Sequence, residues 1–119
     1  MGYGGDIYMS EMTGAWTFGP ARLVPGLNSD YEDMQPSVRR DGRELVFSSN
    51  RPGSQGFDIW SASRDSIAEA WSTPVNLGSN VNSAANETRP SLSWDAETLL
   101  FGSTRPGEGI SDIYYSTRD

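Results

Sequence analysis

Arg43-Glu44-Leu45-Val46-Phe47-Ser48-Ser49-Asn50-Arg51-Pro52-Gly53 returns 54 residues later as Glu97-Thr98-Leu99-Leu100-Phe101-Gly102-Ser103-Thr104-Arg105-Pro106-Gly107. The flanks return with it. Gln35-Pro36-Ser37-Val38 becomes Arg89-Pro90-Ser91-Leu92, and Asp58-Ile59-Trp60 becomes Asp112-Ile113-Tyr114. Asp6-Ile7-Tyr8 is an earlier copy of the last motif. A period in this range marks a repeated supersecondary unit, as in solenoids and propellers. Such a unit buries its apolar face only against a neighbour, and this chain holds about two units.

Each unit reads as four short strands separated by Gly, Pro, Asn, Asp and Ser, with no sustained helical periodicity. Strand a is Pro36 to Arg39, then Ser91 to Trp94. Strand b is Glu44 to Ser49, then Thr98 to Ser103. Strand c is Asp6 to Ser10, Phe57 to Ser63 and Ser111 to Thr117. Strand d is Ala21 to Val24, then Thr73 to Leu77. Asp41-Gly42 supplies a tight turn between a and b, while Asp95-Ala96 fills that place without a glycine. Asn28-Ser29 and Asn82-Ser83 mark the loops from d to the next a, and Ser66 to Ala70 reads as a loop or a single turn.

The chain order is therefore c-d, then a-b-c-d, then a-b-c. Residues 1–34 read as a partial unit, 35–88 as a complete one and 89–119 as a second partial one. Four-stranded antiparallel sheets repeated at this period are the blades of a β-propeller. The expected fold class is all-β, a propeller with about two repeats per chain.

The run from Pro36-Ser37-Val38 to Asp41-Gly42, then Leu45 to Arg51, then Asp58-Ile59-Trp60, resembles the TolB-type, WD-repeat-like β-propeller repeat. Pro90 to Asp95 resembles its Pro-Ser-Leu-Ser-x-Asp core. The resemblance spans nearly the whole chain. Arg39-Arg40 and Trp94 depart from it, standing where the family often has Ser-Pro. It implies six blades, a role as a protein-interaction platform, and a periplasmic or extracellular location in bacteria.

Composition narrows the function. The formal charge is -7, which argues against nucleic acid and anionic membranes as partners. All nine basic residues are arginines, suited to forked contacts with carboxylates. The chain has neither His nor Cys, which excludes thiolate chemistry, Cys/His zinc sites and imidazole-dependent triads. No apolar run reaches membrane-spanning length, so no membrane insertion is expected.

Two repeats cannot close a ring, and open blades expose apolar faces and strand edges. Either several chains assemble or the chain is a piece of a longer polypeptide. The opening Met1-Gly2-Tyr3-Gly4-Gly5, falling inside a repeat, agrees with the second alternative. A homo-oligomer of three chains would give six blades. Its junctions would hold two c strands, Asp6 to Ser10 and Ser111 to Thr117, competing for one place.

The candidate contact residues for a ligand or partner fall in three groups. Asp33 and Glu87 are equivalent acids ahead of the strand-a prolines. They could ring a channel mouth and hold a cation such as Ca²⁺, or pair with the equivalent Arg51 and Arg105. The second reading is preferred. Asp6, Asp58 and Asp112 recur in every unit, which favours structural bonds to turn amides over acid-base chemistry. Arg40 and Trp94 occupy one repeat position and differ in type, as contacts to a protein partner or a sugar ring do; the equal alternative is that Trp94 packs, partly covered, on its neighbouring unit. Trp16 and Trp71 read as packing between units, as do Trp60, Tyr8 and Tyr114. Ser93 to Leu99 resembles the sialidase Asp-box only poorly, lacking its Gly and final Trp.

The expected function is non-enzymatic, with no cofactor and no bound metal: a rigid platform for an unidentified protein partner. A lectin-like or cation-binding propeller is the alternative. A hydrolase would need a catalytic domain on further sequence.

Overall fold

A computed structural model describes residues 5–118 of the chain. It is all-β, with small antiparallel sheets and no helix among those residues. The strands are β1 (Tyr8–Met9), β2 (Met12–Gly14), β3 (Thr17–Phe18), β4 (Arg22–Leu23), β5 (Asp33–Val38), β6 (Glu44–Ser49), β7 (Asp58–Ser63), β8 (Val75–Asn76), β9 (Glu87–Leu92), β10 (Thr98–Ser103) and β11 (Asp112–Thr117). They form a two-stranded sheet β1-β4, a hairpin β2-β3, a four-stranded sheet β5-β6-β7-β8 and a three-stranded sheet β11-β10-β9. Among the described residues no sheet closes on itself.

Alternation along the central strands builds two cores. On β6, Leu45 and Phe47 point to one face and Val46 to the other, as the period of a strand requires. The first core joins Ile7, Val24 and Leu27 to Leu45, Phe47, Trp60 and Ala62, with Trp71 packed against it. It glues the β1-β4 sheet to the four-stranded sheet. The second core joins Val46 and Ile59 to Val81, Leu99 and Phe101. It glues the four-stranded sheet to the three-stranded one. The middle sheet is thus buried on both faces, and each outer sheet on one.

Several sequence expectations need correction. Strand a starts at Asp33 and Glu87, earlier than Pro36 and Ser91. Gln35 and Arg89 have φ of 56° and 50°, and the pairing register slips around them. This bulge interrupts the period-two pattern that a strand is recognised by. The hairpin β2-β3 lies between the expected strands c and d, where no strand is expected; its short strands are exposed throughout and show no alternation. Trp16, at its tip, is 93% exposed and is not core. Trp71 does pack, its ring lying 4.0 Å from the Arg64 guanidinium carbon. Trp60 is buried, but its counterpart Tyr8 is 58% exposed, because no sheet among the described residues covers that side of β1.

Candidate functional site

The turns between strands a and b carry the exposed candidates. In the first, the Gly42 amide donates to the Arg39 carbonyl at 2.8 Å; in the second, the Ala96 amide donates to the Ser93 carbonyl at 2.8 Å. Both turns need a left-handed residue, and Gly42 and Ala96 take φ of 74° and 61°. Face-to-face packing of the two sheets sets these turns side by side. The Arg40 guanidinium carbon then lies 4.3 Å from the centroid of the Trp94 ring.

The other charges nearby are spoken for. Arg39 forks onto Asp41 at 2.8 and 2.9 Å, and Arg43 Nε donates to the same carboxylate at 3.1 Å. Arg118 forks onto Glu44 at 2.6 and 2.8 Å, tying the third sheet to the second. Hydrogen bonds from Arg39 above all hold the Asp41 carboxyl far below its usual range. The Arg118 hydrogen bond lowers the Glu44 carboxyl from its usual value, and the Ser93 hydroxyl lowers that of Asp95. Arg40 has no carboxylate partner among the described residues. It lies with Trp94, which is 75% exposed, along an open cleft of about 530 Å³ lined also by Arg39, Asp41, Arg43 and Asp95. A bare cation over an indole face can take a carboxylate and an apolar group side by side.

Asp33, Arg51, Glu87 and Arg105 are placed differently, inside the joints between successive sheets. Asp33 Oδ2 accepts from the Ser29 amide and hydroxyl at 2.6 and 2.8 Å. Its Oδ1 accepts from the Ser49 hydroxyl and from Arg51 Nη2, each at 2.7 Å. Arg51 also donates to the Leu27 carbonyl. The motif repeats at Glu87, which accepts from the Ser83 amide and hydroxyl and from the Ser103 hydroxyl. Arg105 donates to the Val81 carbonyl and reaches Glu87 at 3.4 Å. Both carboxylates are fully buried. Burial pushes Asp33 up, but the combined bonds from Ser49, Ser29 and Arg51 outweigh it and leave its carboxyl below the usual value. These four residues join loop, strand a and strand b, and the acids meet no solvent.

Of the repeated aspartates, Asp112 accepts amides from Glu108 and Gly109 at 2.8 and 3.2 Å. Asp58 accepts from Asn76 Nδ2 at 2.9 Å and from the Gln55 amide at 3.3 Å. Its Oδ1 is buried without a hydrogen-bond partner. Burial, aided by the neighbouring Glu87 carboxylate, pushes Asp58 up.

Sequence reasoning missed a second repeated device. Asn28 Oδ1 and Nδ2 bracket Ile7, taking its amide at 2.6 Å and giving to its carbonyl at 2.9 Å. Asn82 does the same to Ile59 at 2.7 and 2.9 Å. Each side-chain amide stands in for the backbone of a paired strand. The recurrence of Asn-Ser at both loops was the available signal. The contact of Arg40 with Trp94 had none, since both occupy one repeat position. Among the described residues no group of three or more Asp or Glu is arranged to hold a metal, and no helix is long and apolar enough to cross a membrane. In comparison with known proteins, no family model and no curated protein matches this chain.

Proposed function

We propose that the chain is part of a β-propeller acting as a non-enzymatic, rigid platform for a protein partner, with Arg40 and Trp94 as its contact pair. Support for the propeller comes from sheets packed face to face in chain order and from joints that repeat position for position. The observation that carries the platform reading is the exposed Trp94 beneath an arginine with no carboxylate partner among the described residues, at a turn where the repeat changes residue type. Aromatic and arginine side chains dominate binding energy at protein interfaces. The negative net charge supports a protein partner over nucleic acid.

The cation-binding alternative draws on Asp33 and Glu87. Their oxygens already accept from serine and arginine donors, which weighs against it. Quantitative pull-down with wild type, Arg40→Ala, Trp94→Ala and the control Arg22→Ala tests the platform. The first two variants are expected to lose a partner that the control retains. Unchanged capture by both, or a saturable calcium titration of the wild type, sinks the assignment.

A further inference from the structure

The middle sheet shows what covers its two faces, and the outer sheets present the same faces bare. Val46 and Ile59 are 2% and 0% exposed, packed under the third sheet; their counterparts Leu100 and Ile113 are 42% and 80% exposed. Tyr115 is exposed beside them. At the other end, Trp60 packs into the first core while Tyr8 is exposed, and Leu23, paired with Tyr8 across β1 and β4, is exposed with it. The polar part of the internal joint continues the same way. Gln35 Oε1 accepts the Arg89 amide of the next sheet at 2.9 Å, and Arg89, at the position of Gln35, stands exposed on the bare face.

We infer that the bare face of β9-β10-β11 docks onto the bare face of β1-β4 of a second copy of this chain, head to tail. Continuity with the internal interfaces supports this contact: one repeat operation carries the second core onto the open face. Each chain keeps β1 paired with β4 and β11 paired with β10. Docking between faces therefore needs no displaced strand, which removes the competition between c strands expected for three chains. With three sheets in series per chain, two chains supply six. Because the two surfaces differ, the contact is heterologous and closes only as a ring. This inference is independent of the Arg40–Trp94 reading.

The test is native mass by light scattering for wild type, Ile113→Asp and Leu23→Asp. Both positions are exposed within one chain, so each charge meets only the proposed contact. Wild type is expected at a multiple of 13.0 kDa and each variant as a monomer. An equimolar mixture of the variants should restore a complex of about twice the 13.0 kDa chain, since one retains each face. A monomeric wild type, a variant that still self-associates, or a mixture that stays monomeric overturns the inference. Near-UV circular dichroism checks that the variants are folded; Tyr115→Lys and Tyr8→Lys replace any that are not.

Discussion

The Arg40 guanidinium stacks on the Trp94 ring although the two residues occupy the same position in successive repeats. Sheet packing brings equivalent turns together, so a repeat position becomes a pair of neighbours. The pair is exposed, and such a contact contributes about 0.5–1 kcal/mol. Arg40→Ala and Trp94→Ala should therefore each cost no more than about 1 kcal/mol in urea unfolding. A larger loss would mean that the pair holds the joint, and binding defects in these variants would then report unfolding.

Asp33→Asn should be far more damaging. It removes the counter-charge of Arg51 and turns an amide toward Ser29 or Ser49, both of which already donate. Breaking one partner of a buried charge pair costs about 3–5 kcal/mol. Glu87→Gln should cost clearly less. The Arg105 contact is longer, 3.4 Å against 2.7 Å, and the change also removes a like charge from beside Asp58. Equal losses from the two substitutions would contradict this asymmetry.

The two buried aspartates respond to pH with opposite sign. Asp33 titrates below its unfolded value, so its contribution is complete above that value and is lost as pH falls through the folded one. Asp58 titrates above its unfolded value. Its contribution is complete below the unfolded value and is lost as pH rises through the folded one. Asp58→Asn should raise the urea midpoint at neutral pH and flatten the decline between acid and neutral. A variant profile parallel to wild type across that window would show that Asp58 binds no extra proton in the fold.

Gly42 and Ala96 should answer differently to exchange. A methyl at Gly42 would meet Ile67 Cγ2 at 2.9 Å and force a left-handed alanine. Strain of about 1–2 kcal/mol plus the clash makes Gly42→Ala destabilising. Ala96→Gly relieves that strain but loses a buried methyl, about 0.8 kcal/mol, and adds unfolded-chain entropy of about 0.5–1 kcal/mol. The result should lie within about 1 kcal/mol of wild type. Thermal unfolding of both variants measures the difference.

Strand b was legible to the residue, Glu44–Ser49 and Thr98–Ser103, because an unbroken apolar run between turn residues admits little else. The sheet order c-d, a-b-c-d, a-b-c followed from repeat arithmetic and is the order of pairing observed. Strand a was read short because left-handed Gln35 and Arg89 leave no trace in hydrophobic periodicity. The pairing of Asp33 with Arg51 was legible as matched residue types at one spacing. The loneliness of Arg40 was not, because the carboxylates that occupy Arg39, Arg43 and Arg118 reach them through folded turns and across sheets.

The sequence by itself determined the all-β class, the repeat length and the order of the strands, since strand period and turn chemistry are local. Tertiary structure alone decided which of two equivalent residues is buried. Ile59 and Ile113 follow the same aspartate and precede an aromatic in the same strand, yet one is sealed and the other is open to solvent. Hydrophobicity belongs to the side chain, whereas burial belongs to whatever packs against it.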